Sequence, residues 1–126
     1  MNLLLDTHVL LWALNDDPTL SPLARAAITD GRNVVFVSAA TAWEITIKKA
    51  LGKLRAPTGD YLHELQRHRF TPLDITTEHA LAVENLPPHH ADPFDRMLVA
   101  QAQVEKLTLV TRDERLRDYA VPIILA

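Results

Sequence analysis

The chain has 126 residues, of which 48% are hydrophobic, and a formal net charge of -3 at neutral pH. This length and composition fit one compact domain with one core, spanning residues 1–126, and exclude a disordered chain. No apolar run reaches the roughly 18 residues of a membrane helix, and no basic segment precedes the first apolar run. We therefore expect no membrane anchor, no signal peptide and a cytoplasmic location. The absence of cysteine excludes disulfides and thiolate metal sites.

The slightly acidic balance argues only weakly against nucleic-acid binding, although phosphate contacts favour basic surfaces. Cations bound by a cluster of carboxylates would cancel much of the negative charge. The basic residues also fall into groups, within residues 48–55, 67–69 and 112–117. Each group is compatible with phosphate contacts, but for any one group an ordinary solvated surface is the favoured interpretation.

Helical and extended patterns alternate along the chain. Apolar or β-branched runs predict strands at residues 3–5, 34–37, 70–75, 107–110 and 121–125. The segments between them predict helices at residues 8–14, 22–28, 38–51, 61–68, 77–86, 93–106 and 113–119, with a turn at residues 58–60. Ser21 before Pro22 and Asp92 before Pro93 are typical helix starts, and Gly52 is typical of a helix end.

This alternation predicts an α/β fold with a parallel sheet and helices on both of its faces. Pro72 lacks a backbone N–H, so the third predicted strand is expected at an edge of the sheet.

Several acidic residues fall near the carboxyl ends of the predicted strands, which is where open parallel sheets bind ligands. Asp6 directly follows the first strand, and Asp113 lies three residues after the fourth. Glu44 lies in the helix after the second strand. Asp95 stands at the start of the helix that leads into the fourth strand, and it can join the others if that helix begins on the same side.

Each of these acids also has a plain structural interpretation. Asp6 could end a strand, and Glu44 could face solvent on an amphipathic helix. Asp95, in a first helical turn, is favoured by the helix dipole, and Asp113 could cap its own helix. Asp92 has the strongest capping interpretation, so it is a second-tier candidate for the site.

The argument for a functional site depends on the four acids as a set. Carboxylates brought close together repel one another and cannot all stay ionised unaided. A divalent cation resolves that conflict, and oxygen-only ligands suit Mg²⁺ or Mn²⁺. Such ions bind phosphate oxygens and lower the pKa of a coordinated water, so the pattern indicates metal-assisted phosphodiester hydrolysis.

Four sequence blocks resemble the PIN-domain family, and in particular the VapC-type toxins of toxin–antitoxin pairs. They are LLLDTH at residues 3–8, VS and WEI at 37–38 and 43–45, HADPFDRMLVAQA at 90–102, and LVTRD at 109–113. The blocks span nearly the whole chain, in the family's order and spacing, and together they are specific.

The resemblance implies a three-layer α/β/α fold with a central parallel sheet and endoribonuclease activity that depends on Mg²⁺ or Mn²⁺. It also implies a toxin homodimer and a small antitoxin that blocks the site and binds operator DNA. The family's metal-site acids correspond to Asp6, Glu44, Asp95 and Asp113. Thr111 matches the family's small polar residue near the site.

From the resemblance we expect Asp6 and Asp95 to hold the principal ion directly. Glu44 and Asp113 would complete the pocket through waters or a second ion. The expected products carry 5′-phosphate and 3′-hydroxyl ends. The candidates for contacts to the substrate backbone are Lys48, Arg96 and Arg112.

Three other functions are alternatives to this one. A receiver-like signalling domain needs an acceptor aspartate after its third strand, where this chain has Thr76 and Thr77. A zinc site could use His89 and His90, but adjacent histidines in a proline-flanked loop are expected to be exposed, and no helical pair supports them. A non-catalytic RNA- or protein-binding member of the same fold is the remaining alternative.

Overall fold

The structure, a computed structural model, describes residues 1–55 and 59–126, so residue 58 of the predicted turn lies outside the described residues. The strands are β1 (Asn2–Leu5), β2 (Val34–Ser38), β3 (Phe70–Leu73), β4 (Thr108–Thr111) and β5 (Ile123–Leu125). The helices are α1 (Thr7–Leu14), α2 (Pro22–Thr29), α3 (Ala39–Ala50), α4 (Tyr61–Arg67), α5 (Thr77–Ala82) and α6 (Pro93–Glu105), with short 3₁₀ helices at Val83–Asn85 and Glu114–Asp118.

The five strands form one parallel sheet in the order β3-β2-β1-β4-β5. Leu5 at the end of β1 pairs with Val37 of β2 on one side and with Val110 of β4 on the other. The three neighbouring strands β2, β1 and β4 therefore end level with one another in the sheet. Whatever follows these strands meets at one edge of the sheet.

Both faces of the sheet are covered by helices, because successive residues of a strand point to opposite faces. Leu3 and Leu5 pack in one cluster of buried residues with side chains of α1, α2 and α4. Leu4, between them, packs in a second cluster with side chains of α6. The predicted three-layer α/β/α arrangement is confirmed.

The predicted helix starts and the predicted edge strand are confirmed. The hydroxyl of Ser21 accepts the Ala24 N–H at 3.1 Å, with Pro22 at the first helical position. Strand β3 pairs only with β2, as Pro72 requires at an edge. Gly52 follows the end of α3 with φ +71, a conformation that suits glycine.

Some predicted elements are shorter in the structure. The helix predicted over 77–86 divides into α5 and a 3₁₀ helix. The 3₁₀ helix ends before Leu86, because this residue precedes proline and takes an extended conformation. The last strand begins only after Pro122, which has no N–H to give to the sheet. The helix predicted over 113–119 is a 3₁₀ helix of five residues that Asp113 begins. Among the described residues, no helix is long and apolar enough to cross a membrane.

Candidate metal centre

A cleft of about 450 Å³ lies at the edge of the sheet where β1, β2 and β4 end. All four predicted carboxylates line it, together with Asp92. The full set of lining residues is Asp6, Thr7, His8, Trp12, Glu44, Lys48, His90, Asp92, Asp95, Arg112, Asp113 and Arg115. The structure therefore brings together acids that lie as far apart in the sequence as Asp6 and Asp113.

Asp6 lies between the end of β1 and the start of α1, and it is only 7% exposed. One of its carboxylate oxygens accepts the Val9 N–H at 2.9 Å, so the side chain also caps α1. Burial raises the pKa of Asp6, and it outweighs the lowering effect of hydrogen bonds from Thr111 and Val9. A nearby cation would stabilise the ionised Asp6 carboxylate and so oppose the effect of burial.

Asp95 lies in the first turn of α6 and shows the crowding of charge most clearly. Its pKa is raised to about 7, chiefly by burial and also by the neighbouring carboxylates of Asp92 and Asp6. The His90 ring lies beside this carboxylate, with Nε2 at 3.4 Å from one Asp95 oxygen. Asp95 and Asp6 are the carboxylates for which a bound cation would relieve the greatest electrostatic cost.

Glu44 is buried on α3, but it has partners for both carboxylate oxygens. The Thr7 hydroxyl donates to one oxygen and the Lys48 ammonium donates to the other. Lys48 stands one helical turn later, and its pKa is raised chiefly by this hydrogen bond. Lys48 therefore lies in the cleft as the counter-charge of Glu44, and its contact with the substrate backbone stays a prediction.

Asp113 begins the 3₁₀ helix after β4 and accepts several hydrogen bonds. The Arg115 guanidinium binds both of its oxygens, at 2.9 and 2.8 Å, and the Arg115 N–H adds a third bond at 3.0 Å. His90 Nε2 lies 2.8 Å from the second oxygen. The hydrogen bonds from Arg115, and then that from His90, hold the pKa of Asp113 well below its usual range.

Thr111 and Asp92 serve the site as supports. The Thr111 hydroxyl accepts the Asp113 N–H at 3.0 Å and also hydrogen-bonds Asp6, so it connects two of the carboxylates. One oxygen of Asp92 accepts the N–H groups of Phe94 and Asp95, at 2.8 and 3.2 Å. Asp92 is thus the N-cap of α6 and a wall of the cleft at once.

The two predicted arginine contacts are placed differently from each other. Arg112 lines the cleft, with its guanidinium 4.4 Å from the centre of the Trp12 ring. Its N–H groups donate to the carbonyls of Thr19 and Ala126. Arg96 is not among the lining residues, and its guanidinium donates to carbonyls of the 83–90 segment and to Tyr119. A substrate contact does not fit this placement of Arg96.

Five of the lining residues were not predicted from the sequence: Thr7, His8, Trp12, His90 and Arg115. Arg115 appears there only as part of a basic group, and its approach to Asp113 follows from the turn after β4. His90 was expected to be exposed; this expectation is wrong, because its side chain is only 6% exposed. His89 is exposed as expected. The sequence feature that could have identified His90 is its position two residues before Asp92, the N-cap of α6.

The donor chemistry of the cleft fits a hard divalent cation. One ligand atom from each of His90, Asp95 and Asp113 lies within 4.8 Å of the other two. Asp6 and Glu44 add carboxylate oxygens to the same cleft. A set made mostly of carboxylate oxygens suits Mg²⁺ or Mn²⁺ better than a softer metal.

The chain belongs to the PIN domain family, which matches residues 3–122. It is 32% identical over 122 residues to Ribonuclease VapC22 of Mycobacterium tuberculosis, with 94% of this chain and 92% of that protein covered. The resemblance stated from the sequence blocks is thereby confirmed.

Solved structures support the fold. VapBC2 from Rickettsia felis, bound to a DNA fragment from its promoter, matches with a TM-score of 0.73 at 16% identity, covering 99% of this chain and 98% of that one. DNA-bound VapBC from Salmonella typhimurium gives a TM-score of 0.68 at 18% identity with the same coverage, 99% and 98%. At these identities the likeness concerns the fold alone.

Proposed function

We propose that this protein is an endoribonuclease that requires Mg²⁺ or Mn²⁺ and acts as the toxin of a toxin–antitoxin pair. The observation that carries the proposal is the meeting of four carboxylates in one cleft, with the pKa of Asp95 raised to about 7 by burial and by its acidic neighbours. The similarity to a protein named Ribonuclease VapC22 supports RNA as the substrate.

The pKa shifts and hydrogen bonds of the four acids suggest which of them bind the cation directly. Asp6 and Asp95 would hold the principal cation, since both have raised pKa values and gain most from a positive charge. Asp113 already accepts hydrogen bonds on both oxygens, so we expect it to act through waters or a second ion. Glu44, bound by Thr7 and Lys48, has the same expected role.

A bound Mg²⁺ or Mn²⁺ supplies charge stabilisation at phosphate oxygens and lowers the pKa of a water molecule. The protein supplies the remaining positive charge, because Lys48, Arg112 and Arg115 all line the cleft. These side chains would attract the RNA backbone and orient a phosphate over the carboxylates. The proposed products have 5′-phosphate and 3′-hydroxyl ends.

We also propose a small DNA-binding antitoxin as the partner and a homodimer as the assembly. Structurally similar proteins include VapBC complexes bound to DNA and a member of the VapBC family of toxin–antitoxin systems from Mycobacterium tuberculosis. The chain offers an exposed apolar surface for such contacts, where Trp43 is 61% exposed and lies edge-on to Phe94 at 5.5 Å. Co-expression with the neighbouring reading frame, followed by mass measurement of the complex, tests both proposals.

The function is tested by incubating purified protein with cellular RNA and mapping the new ends. We expect cleavage with Mg²⁺ or Mn²⁺, none with EDTA, and none in Asp6→Asn. Asp74→Asn is the matched control, since Asp74 is exposed and outside the cleft. Cleavage by Asp6→Asn at the parent's rate would refute the site, and stable RNA with every cation would favour a non-catalytic binding protein.

A further inference from the structure

Two histidines line the described cleft, His8 and His90. The His90 ring lies against two of the carboxylates, those of Asp95 and Asp113. The His90 side chain is 6% exposed, and both of its ring nitrogens have partners. Nδ1 lies 3.0 Å from the Asp92 backbone nitrogen, and Nε2 lies 2.8 Å from Asp113 and 3.4 Å from Asp95. The ring therefore connects the cap of α6 to two acids from different elements.

The partners of the ring define its tautomer. A backbone N–H can only donate, so Nδ1 must be the acceptor in the bond from Asp92. A hydrogen on Nδ1 would face the Asp92 N–H, so this arrangement has no hydrogen on Nδ1. The single hydrogen is then on Nε2, which donates to Asp113.

The backbone of His90 is also fixed from several directions. Its N–H donates to the Tyr119 hydroxyl at 3.0 Å, and Tyr119 is only 3% exposed. Arg96 reaches both the His90 carbonyl, at 3.4 Å, and the same hydroxyl, at 3.2 Å. Arg96 further donates to the carbonyls of Val83, Leu86 and Pro87, at 3.2, 3.2 and 2.9 Å. The loop before α6 thus holds the imidazole in one position.

From these contacts, and on the basis of the proposed metal site, we infer that His90 is a positioning residue: its Nε2–H holds the Asp113 carboxylate beside Asp95, and the ring does not itself bind the cation. Asp113 otherwise depends on Arg115, whose side chain is 69% exposed. Without the imidazole, the salt bridge to Arg115 would be free to draw Asp113 away from Asp95. Arg96 and Tyr119 act one step further out, by holding the histidine loop.

Two amide variants separate the roles of the ring nitrogens. His90→Gln carries an amide donor near the position of Nε2, whereas His90→Asn keeps an acceptor near Nδ1 and is too short to reach Asp113. For His90→Asn we expect a loss of about 10- to 100-fold in the affinity for Mg²⁺ and for Mn²⁺, equal for the two ions. The rate constant for RNA cleavage should fall by a similar factor with little change in KM. His90→Gln should recover most of both losses.

Cation affinity is measured by calorimetry on purified protein with each metal alone, and melting in EDTA shows whether each variant is folded. A selective loss of Mn²⁺ affinity, with no recovery in His90→Gln, would make the imidazole a ligand and overturn the inference, because nitrogen ligands favour Mn²⁺ over Mg²⁺. Unchanged affinity and unchanged kinetics in His90→Asn would overturn it as well.

A measurement on the parent protein needs no folded variant. Long-range ¹H–¹⁵N spectra of the ¹⁵N-labelled chain distinguish the two neutral tautomers of each histidine. We expect His90 to carry its hydrogen on Nε2 both before and after Mg²⁺ is added, and a hydrogen on Nδ1 in either state would contradict the inference. This result does not depend on RNA cleavage. A parent protein that binds no divalent cation would instead refute the proposed function, so the two failures are distinguishable.

Discussion

The four carboxylates that were predicted for the cleft form two pairs with different surroundings. Glu44 and Asp113 each have a basic partner, Lys48 and Arg115, that binds the carboxylate directly. In Asp6 and Asp95 burial is the largest influence, and it raises the pKa of both. We call the first two the salt-bridged pair and the second two the desolvated pair.

This difference shows how a protein can hold four acids together before any cation arrives. In the salt-bridged pair, basic side chains of the protein itself balance the charge of each carboxylate. The desolvated pair is left with a charge conflict that protonation or a cation must resolve. The stability cost and the affinity for a cation are therefore concentrated in the same two residues, and the following substitutions test that division.

The largest effect is expected from removing a charge in the desolvated pair. Asp95→Asn should reduce RNA cleavage by about 10²- to 10³-fold, since several kcal/mol of electrostatic stabilisation is lost with the cation. In EDTA at pH 8 the same variant should melt at a higher temperature than the parent, by about 5 °C, because the charge conflict is gone. Activity assays and thermal melting check the two effects, with Asp74→Asn as the control. A lower melting temperature would show that Asp95 is not under strain.

The second effect is on the pH dependence of stability without a cation. The folded protein holds a proton on Asp95 up to a pKa of about 7, well above the ordinary value of 3.8. The folded state then binds more protons than the unfolded state between these values, so the free energy of unfolding should fall as the pH rises from 4 towards 8. Denaturant unfolding in EDTA measures the slope. Asp95→Asn should flatten it, and saturating Mg²⁺ should stabilise the parent most at pH 8.

A smaller effect is expected from the salt-bridged pair on the α3 side. Lys48→Gln leaves the buried Glu44 carboxylate with the Thr7 hydroxyl alone, and we expect a loss of about 1 kcal/mol in the free energy of unfolding. Added Mg²⁺ should stabilise this variant more than it stabilises the parent, because the cation can replace the missing ammonium. Equal stabilisation by Mg²⁺ in both proteins would place Glu44 outside the reach of the ion.

The smallest effect is expected at Arg115, whose salt bridge is largely exposed. Arg115→Gln should lower the free energy of unfolding at neutral pH by less than any of the other substitutions, because solvent screens an exposed ion pair. The lowered pKa of Asp113 gives stability that is present above pH 4 and is lost as the pH falls below it. Acid unfolding curves should therefore be shallower in Arg115→Gln than in the parent. Arg117→Gln, on the same 3₁₀ helix, is the control, and curves of equal slope in all three proteins would rule out this contribution.

The layers of the fold and the meeting of the acids followed from local signals. The apolar runs, the caps at Ser21 and Asp92 and the parallel arrangement are enough to place Asp6 and Asp113 at one sheet edge. The partners of each acid did not follow. Arg115 reaches Asp113 through a tight turn, and the pattern there was compatible with an ordinary helix. The outcome is a 3₁₀ helix, whose start turns the guanidinium towards the carboxylate.

The histidine loop shows a second limit. His90 depends on Tyr119, 29 residues away, and on an arginine that looks like a surface charge in the sequence. Such contacts depend on tertiary packing, which overrides the ordinary preference of polar loop residues for solvent. The sequence predicts that Arg96 contacts the substrate. The structure instead places its guanidinium against the backbone carbonyls of the loop that carries His90.

The level ends of β1, β2 and β4 have a consequence for how this chain can vary. An added residue within any of these strands would shift one acid by more than 3 Å relative to the others and would turn neighbouring side chains to the opposite face. The turn at residues 30–33 lies at the opposite end of β2, so its length can change without moving the cleft. Insertions and labels should be tolerated at that turn, whereas deletions between β4 and Asp113 should not.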